Sequence, residues 1–198
     1  KEGIDIKLNI KIDSIEKALE NIVCYNELTS RYHSQHQNAC ITVYRPLQAP
    51  VEKAQPPLNA DLIIFSNVLA EMSAPPAKRA EAVERLASDS RDPTVIIIEP
   101  ADLVNSKALR ITQHALVKKG FTVYSPCSFI WGIGCRGEDC WSFQDAGHIK
   151  VPEFMRKIAG KEEAYRYINT DMKFSYVILR KTGLVKHTYQ AKGKFVRL

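Results

Sequence analysis

The sequence predicts an α/β fold built on a doubly wound, mostly parallel sheet. Three apolar runs predict it: Leu62 to Phe65, Val95 to Ile98 and Phe121 to Tyr124. The first two are continuous rather than alternating, as strands covered on both faces are. Between the runs lie two stretches of helical period, 76–88 and 106–119. Strand, helix, strand, helix, strand implies parallel neighbours joined by right-handed crossovers.

Taken in order, Ile4, Ile6, Leu8, Ile10 and Ile12 alternate with Asp5, Lys7, Asn9 and Lys11, a strand with one wet face. Asp13 or Ser14 is expected to cap a helix whose apolar stripe is Ile15, Leu19, Ile22, Val23 and Leu28, with Cys24 beside it. His33 and His36 read as a solvated helix end rather than a metal pair. Residues 41–45 read as a short strand, and the Pro-rich segment Pro46 to Pro57 as a surface loop or linker. Asp61 opens the main scaffold. Pro76 stands at the start of the first scaffold helix, with Ala80, Val83, Leu86 and Ala87 facing inward. The second has Leu109, Ala115, Leu116 and Val117 as apolar positions and stops at Gly120. A further helix is expected over 152–168 and a fourth strand over Phe174 to Leu179.

The 198 residues suit a single domain with room for a sizeable core, and a 45% hydrophobic fraction is that of an ordinary globular chain. No run of eighteen apolar residues occurs, which argues against a transmembrane helix. The opening Lys-Glu-Gly-Ile-Asp does not read as a signal peptide. A net charge of +6 pulls toward acidic partners such as RNA. Five cysteines outside any small secreted framework point to a reducing compartment. Residues 1–182 are expected to form the α/β domain, and 183–198 a basic tail or the start of a further domain, carrying Lys186, His187, Lys192, Lys194 and Arg197.

Two groups carry candidate chemistry. In an open α/β sheet, ligands sit outside the carboxyl ends of the strands. Ser66, Asn67 and Glu99-Pro100 fall on that rim. Capping and turn formation are the alternative roles for Ser66 and Asn67, and strand termination for Glu99-Pro100. The second group is the stretch Cys127 to Trp141, which holds Cys127, Cys135 and Cys140 in a C-x7-C-x4-C spacing together with three glycines and both tryptophans. Several thiolates close in sequence favour zinc or an iron–sulfur cluster, and glycines let the backbone fold sharply around a metal. The alternative is a loop whose cysteines are small buried apolar residues. A complete site needs four ligands, and this stretch offers three. His148 reads as a loop residue or a nitrogen ligand. Trp131, Trp141 and Phe143 read as packing around the loop or as stacking groups for bases.

Six segments then carry a resemblance: Ala-Asp-Leu-Ile-Ile-Phe-Ser-Asn-Val-Leu-Ala-Glu-Met (60–72), Val-Ile-Ile-Ile-Glu-Pro (95–100), Ser-Lys-Ala-Leu-Arg (106–110), Gly-Phe-Thr-Val-Tyr-Ser-Pro-Cys (120–127), Cys-Trp-Ser-Phe (140–143) and Asp-Met-Lys-Phe-Ser-Tyr-Val-Ile-Leu-Arg-Lys (171–181). Together they are similar to class I S-adenosylmethionine-dependent methyltransferases. In particular they resemble the methyltransferase-like assembly factor of the mitochondrial small ribosomal subunit and its prokaryotic relatives. The resemblance covers Asp61 to Lys181 and implies a Rossmann-like sheet of class I methyltransferase type with a Cys-rich insertion. It implies binding to small-subunit ribosomal RNA beside ribosomal proteins, and a [4Fe–4S] cluster on four cysteines, three of them matched by Cys127, Cys135 and Cys140. No cysteine follows Cys140, so the fourth ligand is absent, replaced, or supplied by Cys24 or Cys40.

The sequence also departs from that pattern. Class I enzymes follow their first strand with a Gly-rich loop that lets the backbone approach the cofactor closely, and no G-x-G-x-G occurs here. Asp13-Ser14 follows the first strand instead, and Asp5 reads as a wet-face aspartate or as the acid of a ribose-binding strand. Two readings stay open: a chain lacking its N-terminal Gly-rich portion, or a cofactor site that has lost that loop. The functional readings are an assembly factor of methyltransferase type, an active S-adenosylmethionine-dependent RNA methyltransferase, and an unrelated zinc-binding α/β protein. The resemblance places the chain in a prokaryotic cytoplasm or the mitochondrial matrix, away from membranes.

Overall fold

The computed structural model describes residues 9–35, 40–55, 59–126, 143–145, 153 and 173–183. The chain divides into two compact units, 1–57 and 58–198.

In the first unit the elements are β1 (Ile10–Ile12), β2 (Ile15–Glu16), α1 (Leu19–Gln35), β3 (Ile41–Val43) and β4 (Leu47–Gln48). β1 pairs in parallel with β3, Ile10 against Ile41, and β2 with β4, Ile15 against Leu47. Two parallel strands need a crossover between them, and α1 supplies it. The helix starts later than the sequence suggests. Ile15 belongs to β2, and the amide of Ala18 donates to Glu16 Oε1 at 2.8 Å, so an acid just ahead of the helix replaces the expected Asp13 or Ser14 cap. Ser14 instead donates to the Tyr25 hydroxyl at 3.0 Å. Of the expected stripe only Ile22 is buried, at 3% exposure, while Leu19, Val23 and Leu28 are exposed.

The second unit holds β5 (Leu62–Ser66), α2 (Pro76–Leu86), β6 (Thr94–Pro100), α3 (Leu103–Lys118), β7 (Thr122–Ser125), β8 (Gln144–Asp145) and β9 (Lys173–Arg180). Local chemistry sets the boundaries. Pro76 sits in the first turn of α2, where its missing N–H costs nothing. Asp102 caps α3 by accepting the Asn105 amide at 2.9 Å, which starts the helix three residues earlier than its periodicity alone suggests. Gly120 follows α3 at φ 90°, a left-handed conformation that glycine adopts freely.

The strands form one mixed sheet in the order β5-β6-β9-β7, with β8 also on β9. β5 and β6 are parallel; β9 is antiparallel to β6, β7 and β8. The last strand is therefore wedged between β6 and β7, and those two run in one direction without touching. The fold is α/β with a Rossmann-like sheet that is mostly parallel in strand direction: β5, β6, β7 and β8 run one way and β9 the other. α3 packs on β6, β9 and β7 and carries α2 along its side. Under these helices lie Phe65, Val95, Ile97, Val177 and Leu179, all at 3% exposure or less. Each such side chain contributes about 1.5–3 kcal/mol by leaving water. The alternate positions differ: Leu62 and Ile64 of β5 are more than half exposed, although the continuous apolar run suggests burial on both faces. Among the described residues, β5 ends the sheet and pairs on one edge only.

A buried arginine secures the wedge. Arg110 of α3, 2% exposed, donates through Nη2 to Ser175 Oγ at 3.1 Å and to the Tyr176 carbonyl at 2.7 Å, and through Nη1 to Gln113. The Lys-Phe-Ser-Tyr segment thus has a structural use: its serine and the next carbonyl receive a guanidinium sixty-five residues away in the chain. The helix expected over 152–168 falls outside the described residues except for Glu153, and so does the basic tail beyond Gly183.

Candidate functional site

The carboxyl ends of β5 and β6 form the rim on which the sequence places Ser66, Asn67 and Glu99. Register brings them together: Ser66 pairs with Ile98, one residue before Glu99. The Asn67 amide donates to the Ile98 carbonyl at 2.9 Å, extending the ladder one residue beyond β5. Asn67 itself lies at φ 54°, in the left-handed region that few side chains other than asparagine tolerate. Ser66 and Asn67 are both exposed, so their side chains are accessible from outside the sheet.

Glu99 stands differently. It is 2% exposed, and its carboxylate accepts from two successive amides, Leu69 to Oε1 at 2.9 Å and Ala70 to Oε2 at 3.0 Å. Burial pushes its pKa up; the amides of Leu69 and Ala70 and the nearby Arg79 charge pull it part of the way back. Both oxygens are thus spent on shaping the turn that follows Asn67. In that turn Glu71 N donates to Val68 O and Met72 N to Leu69 O, each at 3.2 Å. Leu69 and Met72 plug it into the core at 2% and 5% exposure.

Arg79 of α2 completes the frame. Its Nε donates to Ala74 O at 2.9 Å and its Nη2 to Met72 O at 3.1 Å. Sequence reasoning passed over this residue, and the one signal for it was a basic position three after Pro76. The rim can therefore offer a ligand two exposed polar side chains on a braced backbone.

β7 runs in the direction of β6, so Pro126, the last residue described before the cysteine stretch, heads toward the same rim, although Ser125 stands opposite Ile178, the partner of Ile96, three residues short of Glu99. Cys127, Cys135 and Cys140 lie outside the described residues, as do Trp131, Trp141, His36 and His148. Cys24 and Cys40 are exposed. His33 bonds the Thr29 carbonyl through Nδ1 at 2.8 Å and lies 3.4 Å from the Ile41 carbonyl through Nε2, as a histidine bonded to backbone at the end of a helix does. Among the described residues, no group of three or more His, Cys, Asp and Glu could hold a metal ion, and no helix is long and apolar enough to cross a membrane. Phe143 is exposed and lies under the Lys173 ammonium, 5.7 Å from the ring centre.

The family model of the mitochondrial small ribosomal subunit protein Rsm22 matches residues 8–195. A search of curated proteins finds no match. Among solved structures, the chain is similar to the [4+2]-cyclase SpnF, with 14% identity and a TM-score of 0.49 over 87% of this chain and 67% of that one. It is similar to the StiE O-MT, residues 942–1257, with 9% identity and a TM-score of 0.45 over 90% and 62%. It is also similar to an S-adenosylmethionine-dependent methyltransferase from Mesorhizobium loti, with 13% identity and a TM-score of 0.39 over 86% and 80%. The chain spans about two thirds of the length of the first two structures.

Proposed function

The chain belongs to the mitochondrial small ribosomal subunit Rsm22 family, and from that premise we propose that it is a methyltransferase-like protein that docks on small-subunit ribosomal RNA and serves assembly of the subunit. The observation that carries this reading is the family match across 8–195, nearly the whole chain. The charge supports it: at +6, with Lys186, Lys192, Lys194 and Arg197 near one another in the sequence, the chain is suited to phosphate contacts that position it without reading sequence. Its working place is the mitochondrial matrix.

The rim is the cofactor edge in this reading. Ser66 and Asn67 contact S-adenosylmethionine, and Glu99 supports them from behind. Methyl transfer asks of the protein mainly that donor and acceptor be held in line, and a rim with a braced backbone suits that. The thiolates of Cys127, Cys135 and Cys140 would hold an iron–sulfur cluster with a structural role, being soft ligands of the kind such clusters take. Iron and acid-labile sulfide in protein purified without oxygen would support that site, and zinc alone or no metal would remove it.

Crosslinking in cells followed by sequencing of the bound RNA tests the main reading. Small-subunit ribosomal RNA should dominate the crosslinks, and an even spread over cellular RNA would refute it. Calorimetry with S-adenosylmethionine separates an active methyltransferase from a binding module: measurable affinity is required for the first and dispensable for the second.

A further inference from the structure

The loop after β5 is held at both ends by charges from other elements. At its amide end the carboxylate of Glu99, from β6, receives Leu69 and Ala70 at 2.9 and 3.0 Å. At its carbonyl end the guanidinium of Arg79, from α2, donates to Met72 and Ala74 at 3.1 and 2.9 Å. Between them two i to i+3 bonds wind a tight helical turn. Amides and carbonyls point to opposite ends of such a turn, so an anion at the first and a cation at the second both match its dipole. Elsewhere in this unit a helix is capped by its own neighbour, as Asp102 caps α3. Here Glu99, thirty residues on, and Arg79 of the following helix brace a stretch too short to be a stable helix alone.

What the bracing secures stands at the head of the loop. Asn67 is held at φ 54° with its amide on the Ile98 carbonyl, and its side chain is exposed at the rim beside Ser66. A left-handed non-glycine residue persists where the surrounding structure over-determines it. The frame does this through Leu69 and Met72 in the core, the buried Glu99 carboxylate and the half-buried Arg79.

We infer that Glu99 and Arg79 are positioning residues, a two-ended charge clamp that fixes the 67–74 loop and so sets Asn67 against the methyl donor. The inference rests on the proposed cofactor edge. The oxygens of Glu99 are committed to amides, and Arg79 reaches backbone carbonyls of the loop, so the pair acts through Asn67. A loop ordered before binding spares the ligand the cost of ordering it. Loosening either end should therefore weaken binding while the fold persists.

Binding of S-adenosylhomocysteine to the full chain by calorimetry tests this, together with hydrogen exchange at the Leu69 and Ala70 amides. The variants are Glu99→Gln, which keeps one acceptor, Arg79→Gln, which removes the cation, and Asp92→Asn, which breaks an ion pair at the opposite edge of the sheet. The first two should each lose about tenfold in affinity, because the loop must now be ordered on binding, and exchange at the two amides should quicken. Asp92→Asn should lose some stability and keep its affinity. Unchanged affinity in both clamp variants overturns the positioning role even where exchange quickens, and unchanged exchange overturns the clamp. If the unmodified chain does not bind, the cofactor edge itself fails and the inference falls with it. If Glu99→Gln does not fold, Arg79→Gln and Arg79→Lys decide: the lysine should recover most of the affinity lost in the glutamine variant, and no recovery counts against a charge clamp.

Discussion

The two ends of the sheet use a carboxylate in opposite ways. At the carboxyl end Glu99 is buried, takes its hydrogen bonds from neutral amides, and has its pKa pushed up by loss of water. At the amino end Asp92 sits about a quarter exposed against Arg180, and that side chain's hydrogen bond is the largest cause of its lowered pKa. Asp92 ties the start of β6 to the end of β9 on a cleft of about 440 Å³ also lined by Asp61 and Arg91. Glu99 ties nothing in the sheet; it shapes a loop. A charge that only locks strands works well at a wet edge, where solvation offsets part of the cost. A charge buried to brace a loop costs more, and that cost falls on the rim where ligands of such sheets bind.

The largest expected effect tests the buried end. Glu99→Ala leaves the Leu69 and Ala70 amides without their acceptor and should cost about 2–4 kcal/mol of unfolding free energy, from bonds to a charged group and the desolvated donors left behind. Chemical denaturation would measure it, and a loss under 1 kcal/mol would mean that water replaces the carboxylate easily. Next comes the residue the brace holds. Asn67→Val should cost about 1–2 kcal/mol, since a β-branched side chain resists the left-handed conformation, whereas Asn67→Gly should be nearly neutral. Equal costs for the two would show that the backbone there is relaxed. The smallest is Asp92→Asn, expected at about 0.2–1 kcal/mol at low salt and less at 0.5 M, as for a partly exposed ion pair.

The pH dependence sharpens the comparison, because the two shifts differ in sign. With its folded pKa raised above the ordinary 4.5, Glu99 binds protons more tightly in the folded chain. Its contribution is therefore fully present below 4.5 and declines as pH rises through the folded value. Asp92, lowered from 3.8, contributes above that value and loses the contribution as pH falls through its folded pKa. Across an acid titration of stability, Glu99→Gln should gain on the unmodified chain as pH rises, and Asp92→Asn should close its deficit as pH falls. Parallel curves for the two variants would contradict the opposite environments.

Much of this architecture was legible in the residues. The three apolar runs fall within β5, β6 and β7, give or take a residue, because short apolar runs bounded by turn residues favour strands. Pro76 and Gly120 mark helix ends through chemistry that acts within one turn, whereas the Asp102 cap that starts α3 was passed over. The rim position of Ser66, Asn67 and Glu99 followed from the direction of the strands. The first unit was harder to read: a two-residue strand, Ile15–Glu16, takes the place of a helix start, and the expected stripe on α1 buries only Ile22. The division of labour on the rim was not legible either, since an exposed asparagine and a buried glutamate at two strand ends look alike in a sequence.

The sequence by itself determined β5, α2, β6, α3, β7 and β9 of the second unit, where α2 and α3 stop, and which edge of the sheet carries polar residues. These depend on periodicity and on side-chain chemistry a few residues in reach. Only the tertiary structure decided that β9 inserts antiparallel between β6 and β7, that Arg110 pins it there, and that Glu99 and Arg79 grip one loop from two sides. Arg110 reaches Ser175 across sixty-five residues and Glu99 reaches Leu69 across thirty. Partners at such distances are selected by which edges and faces remain free once the local elements have formed, and no local pattern records that choice.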